Sequence, residues 1–208
     1  MTKMEAPYVT IAIFPEPGDD HVFETVCDLL LERGARPDGE NHFIERRRRM
    51  YVDRSPRFDL AGPVEIVMSA GALDDPDTTR RETAAFARYL TGLLVAVVER
   101  TRPMYGGIGI EACLPTPSEL REGVSPQGFV TDPFFVRADL LGSPALKETL
   151  AGEFRRSIEC RAGTVFASWW PFVDGKESTP GGLSIWQTWA GGRLLGRVAA
   201  RHIRKSGQ

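Results

Sequence analysis

The residues that most often build metal and nucleophile sites are scarce in this sequence. Three histidines lie far apart along the 208 residues: His21, His42 and His202. Three cysteines are equally scattered, without the spacing of metal ligands: Cys27, Cys113 and Cys160. The HExxH, GxSxG and GxxxxGKS/T motifs are absent. We therefore expect no metal ion, no cofactor and no familiar catalytic constellation, and the odd, sparse cysteines predict reduced thiols in a cytoplasmic protein.

A dominant charge and a long apolar run are also missing. Lysine and arginine total 26 against 28 acidic residues, for a net charge of -2, so the whole molecule is not suited to binding a polyanion. The longest apolar stretch, Leu93 to Val98, is far too short to cross a bilayer, and the first twenty residues contain no cationic export signal. With 42% hydrophobic and 26% charged residues, the composition is that of a globular protein, and we expect no membrane partner.

What is present is an alternation of strand and helix patterns in the first half of the chain. Runs of β-branched residues predict strands, and apolar residues at helical spacing predict the helices between them. The segments, in the order strand, helix, strand, strand, helix, strand, are Tyr8 to Phe14, Val22 to Gly34, His42 to Val52, Val64 to Ser69, Asp75 to about Arg100, and Ile108 to Leu114. This order predicts a ferredoxin-like βαββαβ unit, an antiparallel sheet with two helices on one face.

The second half is expected to cover the other face of that sheet, which is too apolar to face water. A capping box at Thr116-Pro117-Ser118-Glu119 predicts one helix start, and Ser143-Pro144 predicts another. The remaining predicted elements are a helix from about Gly192 to Arg204 and extended segments at Phe129 to Leu141, Thr164 to Phe172 and Leu183 to Trp189. We expect an α+β fold with halves at 1–114 and 115–208, packed as one domain.

The most unusual string is Glu45 followed by four arginines, Arg46, Arg47, Arg48 and Arg49. On a strand these side chains would alternate between the two faces, and two arginines on each face cannot lie in a core, so we expect a sheet edge or a protruding hairpin. One interpretation is recognition of an acidic protein surface, a phosphate or a nucleic acid. The other is protection of an exposed sheet edge. The acidic balance of the chain and the lack of an RNP-type aromatic pattern argue against nucleic acid.

A second group of cations lies on the last predicted helix, where Arg193, Arg197 and Arg201 share one face. From Ser178 onward there are five basic residues and no acid, whereas the remaining 21 basic and 28 acidic residues give -7 for the rest. These cations are either a docking face for an acidic partner or an ordinary solvated face whose charges complement the helix C-terminus.

All four tryptophans fall in one segment: Trp169, Trp170, Trp186 and Trp189. On strands, neighbouring members would face opposite ways, so we expect at least one near the surface. Trp169 and Trp186 are the candidates for a protein-binding hot spot, and the alternative is that these rings are part of the core.

A possible ligand pocket is predicted where the sheet meets the second half. Glu65 and Glu111 should face the same side of the sheet two strands apart, roughly 10 Å at the usual strand spacing, with Tyr105 nearby. Two carboxylates at that distance could act as a general acid and base, or they could be buried acids paired with arginines.

The segment from Val98 to Glu111, VERTRPMYGGIGIE, resembles a segment of bacterial type VI and polymorphic-toxin immunity proteins, in which a helix ends at a proline and leads into a Tyr-Gly-Gly-hydrophobic-Gly strand. The resemblance implies a non-enzymatic cytosolic protein that binds and blocks a cognate toxin. Two other functions stay open at this point. One is an enzyme or small-molecule binder using the predicted pocket, and the other is a structural subunit of a larger assembly, including a homo-oligomer.

Overall fold

A computed structural model of the chain describes residues 7–54, 62–74, 77–110, 114–122, 131–173 and 189–206. Its nine described strands form one antiparallel sheet in the order β2-β3-β4-β5-β1-β6-β7-β9-β8. Helices pack on both faces of this sheet, around two hydrophobic clusters. The predicted α+β class is confirmed.

The strands in chain order are β1 (Tyr8–Phe14), β2 (Arg36–Pro37), β3 (His42–Glu45), β4 (Arg48–Arg54), β5 (Val64–Ser69), β6 (Tyr105–Ile110), β7 (Thr131–Arg137), β8 (Arg156–Cys160) and β9 (Gly163–Ala167). The helices are α1 (Val22–Glu32), α2 (Gly71–Asp74), α3 (Arg80–Thr101), α4 (Pro117–Glu122), α5 (Pro144–Glu153) and α6 (Ala190–Ser206). Short 3₁₀ turns lie at Leu140–Gly142 and Trp170–Phe172.

The ferredoxin-like unit is present in the first half. Strands β4, β5, β1 and β6 are adjacent in that order, and α1 and α3 cover one face. The alternation of β1 explains the arrangement, because Val9, Ile11 and Ile13 point into this helix-covered core and are at most 1% exposed. From α3, Leu90 and Leu94 fill the same core and are fully buried.

The prediction of one strand from His42 to Val52 was wrong. The segment is a β-hairpin in which β3 and β4 pair, with Glu45 opposite Arg48, so Arg46 and Arg47 form the two-residue turn. Helix α1 is also followed by the very short strand β2, which the sequence pattern did not predict. The arginine run therefore occupies a hairpin tip, which was one of the two placements expected for it.

The start of the long helix differs from the prediction as well. Helix α3 begins at Arg80, where Thr79 is the N-cap and forms a capping box with Glu82, rather than at the pair Asp75-Pro76, which lies outside the described residues. Thr79 accepts a hydrogen bond from the first turn of a helix as effectively as an aspartate would. The sequence therefore contains two possible N-caps for this helix, Asp75 and Thr79. The helix ends at Thr101 as expected, and Arg102 caps it in the left-handed conformation with a φ of 48°.

The second half extends the sheet and covers its other face. Strand β7 pairs with β6, which joins the two halves in a single sheet, and α4, α5 and α6 pack on the second face. Ala12, Phe14 and Tyr105 from the first half share the resulting core with Phe134 and Leu195 from the second.

The second half agrees with the sequence-based expectations in some details and differs in others. The capping box at α4 is confirmed by the bonds between Thr116 and Glu119. Strand β8 was not predicted from the sequence pattern. The strand predicted at Leu183 to Trp189 lies almost entirely outside the described residues. A division into domains at residue 114 stays a prediction.

Within the described ranges, no helix combines the length and the apolar character needed to cross a bilayer.

Candidate functional site

The turn of the β3–β4 hairpin has an unusual backbone for its sequence. Arg46 and Arg47 have φ values of 48° and 74°, the positive-φ pair that a two-residue type I′ turn requires. Asn-Gly is the preferred sequence for this turn, since a side chain with a Cβ costs about 1–2 kcal/mol in the left-handed conformation. Local stability therefore does not explain two arginines at this tip, and such outliers are concentrated at functional sites.

The arginines at the tip are exposed. Arg46, Arg47 and Arg49 all lie in contact with solvent, and the side chain of Arg49 keeps 65% of its surface exposed. Its Nε atom is 3.8 Å from a carboxylate oxygen of Asp38, a loose surface ion pair that leaves most of the guanidinium available. The turn thus presents several guanidinium groups, each able to donate two parallel hydrogen bonds to a carboxylate.

The base of the hairpin is fixed to helix α3. Glu45 is 5% exposed and accepts a 2.5 Å hydrogen bond from the Tyr89 hydroxyl. The Arg48 guanidinium lies 4.5 Å from the centroid of the Tyr89 ring and 5.5 Å from that of Phe86, which is cation–π geometry. Burial and the bond to Glu45 raise the pKa of Tyr89, so its hydroxyl stays a donor at neutral pH. The contacts of Glu45 and Arg48 with α3 therefore hold the base of the hairpin in place, next to the exposed turn.

The tryptophans seen in the structure make packing contacts. Trp169 is half-buried, with its ring centroid 5.6 Å from that of Phe172. Trp170 lies under the guanidinium of Arg80 at 5.2 Å. Trp189 is 8% exposed and donates a 2.8 Å hydrogen bond to Glu153. Trp186 lies outside the described residues, so the hot spot proposed at Trp169 and Trp186 stays a prediction.

The second predicted cation group lies on α6. Arg193 is half-buried, whereas Arg197 and Arg201 are exposed. Helix α6 packs in the second core, whereas the base of the hairpin is bonded to Tyr89 of α3 on the other face of the sheet. The hairpin base and α6 are therefore attached to opposite faces of the sheet.

The structure does not assemble the predicted ligand pocket from described residues. Tyr105 is fully buried between aromatic rings, and its hydroxyl donates a 2.6 Å hydrogen bond to the carbonyl of Pro115. Burial raises the pKa of Tyr105 well above its ordinary value. Glu65 is half-buried in β5 beside Ala12 and Asp53 in register, and Glu111 lies outside the described residues. Tyr105 thus has a packing role, and the pocket stays a prediction.

Sequence reasoning missed one polar cluster, at the ends of β1 and β7. Arg137 donates hydrogen bonds to Glu16 and Asp139, and His202 of α6 lies 2.7 Å from Glu16. Arg137 also donates to the carbonyl of Arg102, where α3 ends. Its members are spread from residue 16 to residue 202, so only the adjacency of β1, β6 and β7 could have indicated it. No part of the described chain brings together three or more side chains suited to holding a metal ion.

No protein-family model matches this chain, and no curated protein matches it. Among solved structures, a T6SS (type VI secretion system) protein of Pseudomonas aeruginosa is similar with a TM-score of 0.40 and 11% sequence identity, over 94% of this chain and 83% of that chain. The regulatory subunit of aspartate kinase from Thermus thermophilus is similar with a TM-score of 0.27 and 9% identity, over 98% of this chain and 95% of that chain. Neither similarity is close enough to assign a family.

Proposed function

We propose that this protein is a non-catalytic binding module whose β3–β4 hairpin tip holds an acidic protein partner. The observation that carries the proposal is the turn itself, in which Arg46 and Arg47 occupy two left-handed positions that Asn-Gly would fill at lower cost. The exposure of both side chains and the ordered base formed by Glu45, Arg48 and Tyr89 support it, since a pre-ordered cationic tip loses less entropy on binding.

The class of partner that we propose is a toxin, which the chain would bind and block. The resemblance of Val98 to Glu111 to immunity proteins suggests this class. In the structure, the described part of this segment forms the end of α3 and strand β6, which contributes residues to both cores. Its role there is to support the fold, so we place recognition on the hairpin rather than on this segment.

The test uses a double variant that combines Arg46→Asn with Arg47→Gly. Because Asn-Gly suits this turn better, the free energy of unfolding of the variant should rise by about 1–2 kcal/mol, which urea unfolding measures. Binding to the partner should be lost. Binding is measured by affinity capture from the source organism with identification of the captured protein, followed by co-expression of that protein with either form of the chain.

A matched control removes two exposed cations elsewhere, through Lys147→Ser and Arg155→Ser. It should capture the same partner and protect cells as the wild type does. Protection by the hairpin variant at the wild-type level would place recognition elsewhere. A captured protein that is not toxic would support the binding module but remove the toxin assignment.

A further inference from the structure

Helix α6 carries five cations and no acid: Arg193, Arg197, Arg201, Arg204 and Lys205. Four of these residues, all except Arg204, follow one another at intervals of four positions, which we call the α6 ridge. At 1.5 Å per residue, neighbouring members of the ridge are about 6 Å apart along the axis, and the ridge is about 18 Å long.

Three of the four ridge residues, Arg197, Arg201 and Lys205, point away from the protein. Leu195 and Ala199 on the opposite side of α6 are fully buried in the second core, and Gly196 lies against the backbone of α4. By contrast, Arg197 and Arg201 are exposed. Lys205 and Arg204 are exposed as well, so the outward cations run from Arg197 to the end of the helix. Arg193 is half-buried, and its Nε atom is buried without a hydrogen-bond partner among the described residues.

The stability of α6 does not explain the ridge. Like charges four residues apart destabilise a helix slightly, and α6 has three such pairs. The helix dipole favours cations only in the last turn, which covers Lys205 but not Arg193 in the first turn. Between described residues no ion pair joins Arg193, Arg197, Arg201 or Lys205 to an acid, although Glu122 of α4 and Glu148 of α5 are exposed on the neighbouring helices.

We propose that the α6 ridge is a second docking surface, which binds an acidic helical segment of a protein with carboxylates at every fourth residue. Such a helix repeats its charges at the same 6 Å interval, so the exposed cations Arg197, Arg201 and Lys205 would each meet one carboxylate. A nucleic acid is disfavoured because the chain up to Glu177 has a net charge of -7, which repels a polyanion. The ridge does not depend on the hairpin, because α6 packs in the second core whereas the base of the hairpin is bonded to α3 on the other face of the sheet.

The test uses the full chain and two synthetic alanine-rich peptides of equal length and composition. One has glutamate at every fourth position, and the other has the same glutamates grouped together. Fluorescence anisotropy should show tighter binding of the patterned peptide, weakened by added salt. Arg197→Ser with Arg201→Ser should reduce its affinity about tenfold, the sum of two surface charge pairs. The hairpin variant, Arg46→Asn with Arg47→Gly, should bind the peptide as the wild type does.

A variant with reversed charges distinguishes a loss of the binding surface from a loss of the fold. Arg197→Glu with Arg201→Glu should lose the glutamate peptide and gain a peptide with lysine at every fourth position. Equal binding of the two glutamate peptides, or no binding of either, would overturn the proposal. Preferential binding of duplex DNA or of phosphatidylserine vesicles, lost in the serine variant, would also overturn it and assign the ridge to those anions.

Discussion

Asp132 shows how one buried carboxyl can make the stability of this fold depend on pH. It is 4% exposed at the start of β7 and accepts hydrogen bonds of 2.9–3.0 Å from the backbone N–H groups of Ser168 and Trp169. Burial raises the pKa of Asp132 from 3.8 to about 6, and the two backbone donors oppose that shift. The carboxyl thus links β7 to the segment after β9 but is costly to ionise in that place.

The sign of the pH effect follows from the raised pKa. The folded state binds the Asp132 proton more tightly than the unfolded state does, so this group stabilises the fold below pH 4, and that contribution is lost as the pH rises through about 6. The free energy of unfolding of the wild type relative to Asp132→Asn should fall by about 2–3 kcal/mol between pH 4 and pH 7. Urea unfolding of both proteins at several pH values measures this difference in the free energy of unfolding.

The control for this experiment is Glu148→Gln, which changes an exposed carboxyl on α5. Its unfolding free energy relative to the wild type should change little over the same pH range. A difference between the wild type and Asp132→Asn that is constant with pH would mean that the two N–H donors fully offset the burial.

At the scale of elements, the approach of α6 to α4 depends on Gly196. A Cβ at this position would lie 2.4 Å from the backbone nitrogen of Arg121 and 2.9 Å from its Cα, and backbone atoms cannot move aside as a side chain can. Gly196→Ala should therefore reduce the free energy of unfolding by about 1–3 kcal/mol through overpacking. Thermal and urea unfolding measure the loss.

The same substitution in the middle of α3 is the matched control. Gly92 is exposed, and a Cβ there would meet nothing within 4 Å. Gly92→Ala should raise the free energy of unfolding by about 0.5–1 kcal/mol, because alanine loses less backbone entropy in a helix. The same response at both positions would show that helix propensity, and not the contact between α4 and α6, sets the effect at Gly196.

Elements with strong local patterns were predictable from the sequence, and those fixed by competing or long-range effects were not. The alternation in β1 and β5 and the capping box at Thr116 gave these elements close to their true bounds. The hairpin was predicted as one strand because its turn contains Arg46-Arg47 in place of the Asn-Gly that marks a type I′ turn. The cluster of Arg137 with Glu16 and His202 depends on pairings between distant segments, which no local pattern reveals.

At the scale of the whole molecule, the halves are joined by both a sheet and a core. Phe14 of β1 is 2% exposed, and its ring centroid is 5.2 Å from that of Tyr105, which in turn is 6.0 Å from that of Phe134 in the second half. Phe14→Ala should reduce the free energy of unfolding by about 3–5 kcal/mol. All four tryptophans lie in the second half, so their fluorescence reports on that half although the substitution is in the first.

We expect the fluorescence and far-ultraviolet circular dichroism transitions of Phe14→Ala to shift together to lower urea concentration. A surface change in the first half, Glu40→Gln, is the control and should shift neither. A fluorescence transition that stays at its wild-type midpoint while the dichroism signal shifts would show that the two halves unfold separately.

The shared sheet also has a consequence for the protein during its synthesis. When the first βαββαβ unit has left the ribosome, strand β6 has a free edge, and Ala12, Phe14 and Tyr105 on the second face have no described helix over them until α4, α5 and α6 are made. An uncovered apolar face beside an unpaired strand edge is a site of aggregation. The nascent chain is therefore most vulnerable between the completion of β6 and that of α6, and a pause in translation within this interval would lower the yield of folded protein.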